Sequence, residues 1–453
     1  MLEQSSWVRD YEVSGAGASE IAASIEAAVS SGRLAPGTPL PPVRQLAAQL
    51  GVNPNTAASA YRLMRDRGTV ETRGRNGTQI RHRPATSPMR RTLALPPGTL
   101  DLSTGNPDPA LLPRLSPRPV TRPALYGEPV FEPGLRRRAE RLLARDGIDP
   151  EHLACTFGTL DGIDRLLAAH LRPGDAVAVE DPGWTQLLDL LAADGLTPLP
   201  VPVDDAGPDP AGLAAALAAG AKAFIATTRA QNPYGGFISD RRRQQLRTTL
   251  ADYPDVLTID DDHGADLTPD PPHHLAEATR HWAYLRSASK AYGPDLRIAL
   301  LAADATTHDR VAGRLRHTAR HVSRIIQSTW ADALADHAAQ RLVRLAADRY
   351  DERRKALIDT LAARGIEAHG SSGLNVWVPV PDESAALSAL LAAGFAAAPG
   401  AWFRVRSGPA LRVTTAALGP EPEDAAAQAD RIAAALAPTV SRHAPADSGT
   451  GWT

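Results

Sequence analysis

The segment Ser287-Ala-Ser289-Lys290-Ala-Tyr-Gly-Pro294-Asp-Leu-Arg297 gathers an amine, two hydroxyls and a guanidinium in one short run. The chain holds three lysines beside 46 arginines. Arginine stays protonated and cannot serve as an amine nucleophile. A lysine can form a Schiff base with an aldehyde, and serine and arginine can hold a phosphate. Pyridoxal phosphate carries both groups on one ring. Lys222, in Ala-Lys-Ala-Phe, and Lys355, in Arg-Arg-Lys-Ala, lack such company. A lone lysine is ordinarily a surface charge, so the surrounding elements must decide what Lys290 is.

Those elements alternate. Strand-like runs occur at Ala176–Glu180, Ala223–Thr227, Val256–Asp260, Trp282–Leu285 and Ile298–Ala302, with Ala- and Leu-rich helical segments between them. The alternation predicts an α/β fold with a mostly parallel sheet and helices on both faces. Ligands of such sheets sit beyond the carboxyl ends of the strands. A long helical stretch from about Thr307 to Arg364 follows, then a smaller α/β region to about Ala437. The polar stretch 438–453 reads as a disordered tail.

Several candidates fall just after strand runs. Asp260-Asp261-Asp262-His263 can hold a pyridinium N–H, and clustered acids can equally bind Mg²⁺ or Ca²⁺ or form a solvated turn. Gly158-Thr159-Leu160-Asp161 opens a helix, whose free amides can accept a phosphate. Trp184 can cover a planar ring or pack under a loop. Asn232-Pro-Tyr-Gly places an amide at the start of a turn. Arg412, inside an apolar run, needs a counter-charge, either an internal acid or a substrate carboxylate.

The front of the chain follows a different pattern. Ile21, Ile25, Ala28 and Val29 repeat at helical spacing. Val43, Leu46, Ala47 and Leu50 form a second stripe, with Gly51 suited to end it. Asn53 suits an N-cap and Pro54 a first turn. Ala57, Ala60, Tyr61 and Met64 form a third stripe. Thr69–Arg73 and Thr78–Arg81 flank Asn76-Gly77, a hairpin signal. Three helices and a two-stranded wing make a winged helix-turn-helix. Ten arginines and two acids between Pro41 and Arg91 leave +8 there, although the whole chain carries −2. That local excess is a nucleic-acid footprint. Residues 82–100, rich in Pro, Ser, Thr and Arg, read as a linker. The single cysteine, Cys155, excludes an internal disulfide and a cysteine zinc site and fits a reducing, cytoplasmic setting. No apolar run approaches the ~20 residues of a membrane span.

These motifs resemble two known families. Residues 101–437 resemble a fold-type I, class I/II aminotransferase, and residues 14–81 resemble a GntR-type winged helix. Together they resemble the MocR branch of GntR regulators. The resemblance implies pyridoxal phosphate as cofactor, Lys290 as its Schiff-base lysine, and Ser287 and Arg297 on its phosphate. It implies Asp261 at the ring nitrogen. His263 replaces the usual tyrosine and is expected, with Asn232, at the phenolic oxygen. Gly158, Thr159 and Leu160 fall on the phosphate helix, and Trp184 falls at the ring-stacking position. Tyr126, in Tyr-Gly-Glu-Pro, matches the tyrosine that reaches a neighbouring subunit's phosphate, although Phe131 stands where a glycine is usual. Arg412 matches the arginine for an α-carboxylate. In the front domain, Arg44, Asn55, Thr56, Tyr61 and Gly77 match the GntR pattern. With the apolar stripe inward, Asn55, Thr56, Ser59 and Arg62 face a major groove, while Arg44, Arg73 and Arg75 face phosphates or a minor groove. Pro54 replaces a basic residue common in the family.

The expected protein is a cytoplasmic homodimeric regulator that binds double-stranded DNA and pyridoxal phosphate. Its effector is a small amino compound, the cofactor itself, or both. The competing expectation is a working aminotransferase with a residual winged helix.

Overall fold

The computed structural model describes residues 13–30, 34, 37–66, 69–72, 77–80, 95–117, 124–419 and 421–441. The chain divides into two compact units at about residue 92, except that the short segments Arg172–Asp175 and Asp189–Thr197 group with the first.

In the front unit the three predicted stripes become one core. Helices α1 (Ala18–Ser30), α2 (Val43–Leu50) and α3 (Pro54–Asp66) are followed by strands β1 (Val70–Thr72) and β2 (Thr78–Ile80). Ile21, Ile25, Ala28, Leu46, Ala47, Ala57, Ala60, Tyr61 and Met64 are buried together, with Val70 and Ile80 from the antiparallel wing. Gly51 takes φ +66° and ends α2, its N–H returning to the Ala47 carbonyl oxygen. The Asn53 side chain accepts from the Asn55 amide at 2.8 Å and so caps α3. The buried Tyr61 hydroxyl donates to the Pro41 carbonyl oxygen at 2.7 Å, tying α3 to the start of α2. Gly77 has φ +76°, and a side chain there would meet open space. The wing needs that glycine for its backbone angle, not for room. Arg73 and Arg75 lie outside the described residues, as does most of the expected linker.

The second unit starts with β3 (Leu100–Asp101), so Leu100, expected in the linker, already belongs to a strand. Then come α4 (Pro133–Arg145), β4 (Leu153–Thr156), α5 (Thr159–His170), β5 (Ala176–Asp181), α6 (Thr185–Ala193), β6 (Thr197–Asp204), β7 (Gly207–Pro208), α7 (Pro210–Ala218), β8 (Ala221–Thr227), α8 (Asp240–Ala251), β9 (Leu257–Asp262), β10 (His281–Ser287), α9 (Ser289–Tyr292) and β11 (Ala299–Ala303). The main sheet runs β4-β11-β10-β9-β8-β5-β6-β7. Strands β5, β8, β9 and β10 are parallel, and β11 is antiparallel to both neighbours. All five predicted strand runs lie in this sheet.

Beyond the sheet, the expected long helical stretch is three helices, α10 (Ala305–His317), α11 (Arg324–Ala335) and α12 (His337–Ala362). Asp304, Ser323 and Asp336 start them by accepting from the first-turn amides. The small α/β region contains β12 (Asn375–Pro379), α13 (Glu383–Ala392), β13 (Phe395–Ala396), β14 (Ala398–Pro399), β15 (Ala410–Thr414) and α14 (Pro422–Ser441). Its three-stranded sheet runs β12-β15-β14, and β13 pairs with β3. The expected boundary at 437 falls inside α14, which continues through Pro438 to Ser441. Ala437 and Val440 pack on the small region's core, and that burial carries the helix past the proline. Among the described residues, no helix is long and apolar enough to cross a membrane.

Candidate functional sites

Three consecutive aspartates end β9, and all three are buried. Successive side chains of a strand point to opposite faces. Asp260 and Asp262 therefore share one face, and Asp261 takes the other. In register, Asp261 stands between Thr227 of β8 and Leu285 of β10. Leu285 is the residue against which Gly162 of α5 packs: a Cβ there would meet it at 2.6 Å.

The three carboxylates have separate fates. Both oxygens of Asp260 take the Leu275 amide, at 2.9 and 3.1 Å. Burial, with Asp262 nearby, pushes the Asp260 carboxyl up to about 8. Asp262 receives the Arg229 fork at 2.9 and 2.8 Å and the Tyr284 hydroxyl. Burial opposes its ionisation, but Arg229, with Arg286 and Tyr284, holds it below the usual carboxylate range. Asp261 Oδ2 lies 3.3 Å from His263 Nδ1. Its Oδ1 is buried with no protein partner among the described residues.

On the same side, the start of α5 meets the lysine segment. Gly158 has φ +93°, and a Cβ on it would lie 2.5 Å from Arg297 Nη2. Only glycine lets the guanidinium approach the helix N-terminus so closely. Arg297 donates to Ser289 Oγ at 3.3 Å and to the Phe157 carbonyl oxygen at 3.2 Å. Ser287 Oγ accepts from the Ser289 amide at 3.1 Å. Thr159 is buried and Leu160 half-buried in the first turn of α5, whose amides have no partner within the helix. Lys290 Nζ donates to the Gly105 carbonyl oxygen.

Arg412 of β15 is fully buried. Its guanidinium donates to Asn232 Oδ1 at 2.9 Å and to the Ser103 carbonyl oxygen, and lies 4.7 Å over the Phe403 ring. Trp184 is half-buried between β5 and α6. Tyr126 does not join the site: it is 85% exposed, with the Arg320 guanidinium 4.6 Å over its ring. Phe131 is a core residue.

His263 departs from expectation. Its Nε2 lies 3.1 Å from the Ala230 carbonyl oxygen, and Nδ1 faces Asp261. Both ring nitrogens thus already face protein oxygens, whereas the Asn232 amide nitrogen is not engaged by its bond to Arg412.

In the front unit, Arg44, Asn55 and Arg62 are exposed and Thr56 and Ser59 half-exposed, along the side of α2 and α3 away from the core. Arg62 donates to Ser59 Oγ at 2.9 Å, a weak surface restraint.

Residues 122–429 match the aminotransferase class I and II family, and residues 18–80 match the bacterial regulatory proteins of the gntR family. The vitamin B6 salvage pathway transcriptional repressor PtsJ of Salmonella typhimurium is 39% identical, over 90% of this chain and 94% of that protein. The pyridoxine biosynthesis transcriptional regulator PdxR of Corynebacterium glutamicum is 32% identical over 74% of this chain and 76% of that one. The chain belongs to the MocR-type GntR regulators. Among solved structures, the α-aminoadipate aminotransferase LysN of Thermus thermophilus shares the fold, with a TM-score of 0.64 at 22% identity over 76% of this chain and 94% of that one.

For a MocR-type regulator the implied cofactor is pyridoxal phosphate, and the residues present fit it. The bare Asp261 Oδ1 is an acceptor waiting for a ring N–H. The Gly158–Arg297 cradle, which a Cβ would fill, is suited to a phosphate. Three contributors were not read from sequence: the carbonyl oxygens of Gly105 and Ala230, and Phe403 under Arg412.

Proposed function

We propose that this MocR-type regulator binds operator DNA through its winged helix and takes pyridoxal phosphate as a signal of vitamin B6 supply. The carrying observation is the pairing, on one chain, of an outward-facing helix α3 with a half-buried Lys290 beside the buried Asp261 and Arg412. The relatives PtsJ and PdxR, named for vitamin B6 salvage and pyridoxine biosynthesis, support the choice of signal.

When bound, the cofactor supplies an aldehyde and an electron-withdrawing ring. Lys290 supplies the amine, Asp261 accepts from the ring nitrogen, and Arg297 with the α5 amides holds the phosphate. Trp184 covers one ring face. Asn232, its Oδ1 committed to Arg412, has its amide nitrogen for the phenolic oxygen. Arg412 is the fork for a carboxylate, which keeps an amino-acid effector in play. The exposed Tyr126 favours a homodimer in which a second copy receives it. The working compartment is the cytoplasm.

The deciding experiment is DNA binding by the full chain to its own upstream region at controlled salt, with and without pyridoxal phosphate and candidate amines. Binding that the cofactor alone shifts supports the B6 reading. Binding that only an amino acid shifts moves the signal to Arg412. No binding at low salt, together with repeated turnover of an amino donor and a keto-acid acceptor, makes the protein an aminotransferase. The intact Lys290, Asn232 and Arg412 set keeps that second reading in contention.

A further inference from the structure

His263 stands beside the carboxylate meant for the ring nitrogen, and both of its ring nitrogens face oxygens. A carbonyl oxygen has no proton to give, so Nε2 must be protonated to bond Ala230. Nδ1 then faces Asp261 Oδ2, and a second proton must lie between them. Either the ring is cationic beside a carboxylate, or it is neutral beside a carboxylic acid. The charges acting on His263 are Asp261 and Asp262 of its own strand end and Lys290 after β10. Burial disfavours the cation, but Asp261 outweighs burial and holds the imidazole above the ordinary histidine value.

The acceptor on the other side is built rigidly. Ala230 takes φ +54°, a region alanine seldom enters. Two glycines make room for it: a Cβ on Gly264 or Gly373 would lie 2.6 or 2.4 Å from the Ala230 Cβ. The Ala230 amide donates to Ser372 Oγ at 3.3 Å. The carbonyl oxygen is thus fixed before any ligand arrives, and His263 spans from it to Asp261.

We propose that His263 is a positioning residue, an imidazolium strung between the Ala230 carbonyl oxygen and Asp261 Oδ2, which fixes the Asp261 carboxylate so that Oδ1 is presented to the cofactor's ring nitrogen. It stands where the resemblance expects a donor to the phenolic oxygen and clamps Asp261 instead. This role rests on the pyridoxal phosphate reading.

The test uses full-length protein with ¹⁵N-labelled histidines, stripped of cofactor and titrated by NMR from about pH 5 to 9, a range spanning the ordinary histidine value. His263→Gln assigns the signal. In the wild type both ring nitrogens should be protonated at neutral pH, with a midpoint above about 6.5. Asp261→Asn, nearly isosteric, should lower that midpoint by about one unit or more. A neutral single tautomer at neutral pH, or a midpoint indifferent to Asp261→Asn, would overturn the proposal.

The second readout is pyridoxal phosphate affinity against pH. The cation predominates below about 6.5 and is lost as pH rises through the raised folded value. Wild-type affinity should therefore weaken across that midpoint, and His263→Gln should bind about tenfold more weakly at neutral pH without that inflection. A variant with the wild-type profile overturns the His263 role alone. A wild type that fails to bind the cofactor overturns the cofactor reading and this role with it.

Discussion

On α3 the side chains set to act face water, whereas at the end of β9 they face one another. Asn55 and Arg62 are exposed, and any bonds of theirs to DNA would be made only on binding. Asp261, Asp262, Arg229 and His263 already hold fixed partners, and the open acceptor is Asp261 Oδ1. The front surface gains affinity through counterion release, so it should be sensitive to salt and tolerant of substitution. The rear site has its ordering built into the fold, so binding there is preorganised and substitutions reach stability. In a regulator the first surface can be released, and the second can report a ligand without reshaping itself.

The largest effect should come from Lys290→Ala. It removes the amine on which covalent attachment depends. The visible absorbance of the loaded protein should vanish, and borohydride should no longer fix cofactor to the chain by mass. An adduct surviving in the variant would move the covalent site elsewhere and dissolve the contrast drawn here. Arg412→Ala sharpens it differently. Loading should persist, but any amino-acid effect on DNA binding should disappear. If the cofactor alone is the signal, the variant's response to it should match the wild type.

Next in size is Asp262→Ala. Arg229, 4% exposed, would lose the carboxylate on its fork, and the Tyr284 hydroxyl would lose its acceptor. Breaking a buried pair costs about 3–5 kcal/mol. Denaturant unfolding should show that loss without cofactor present. Asp261→Asn should do the reverse, with a small stability change and the greatest loss of cofactor affinity among the three aspartates. Equal losses at all three would mean that the strand does not sort them by face.

How much of this was legible follows from what a sequence encodes. The front core was readable because Ile21, Ile25, Leu46, Ala57, Tyr61 and Met64 repeat with the helix period, and a stripe needs no distant information. The separation of Asp261 from Asp260 and Asp262 was readable because successive side chains of a strand take opposite faces. The partners of Lys290 and His263 were not. Gly105 and Ala230 contribute carbonyl oxygens, which every residue has. The clamp on His263 depends on Gly264 and Gly373 meeting Ala230, a contact set by tertiary folding.

Smaller effects belong to the front surface. Arg44→Ala should weaken binding to all DNA sequences and reduce the salt slope by about one, as expected for one phosphate contact. Substituting Asn55 should instead change preference between sequences by about 1–3 kcal/mol. These are gel-shift or anisotropy measurements on the full chain at several salt concentrations. Equal losses on all sequences at both positions would make α3 a phosphate clamp and leave base reading to other residues.

The effect most dependent on pH should be that of Asp260→Asn. This carboxyl is pushed up to about 8, chiefly by burial, so near pH 7 it is already mostly protonated. The unfolded chain titrates near 3.8, and a group raised in the fold stabilises fully below that value. Its contribution falls as pH climbs and is lost through about 8. The neutral amide should therefore match the wild type only near the unfolded value: the melting curves should nearly coincide at about pH 4, and the variant should become progressively the more stable as pH rises towards about 8. If Asp260→Asn instead costs the same at every pH, the side chain is ionised throughout. The three aspartates would then share one charged state, and their different roles would have to come from geometry alone.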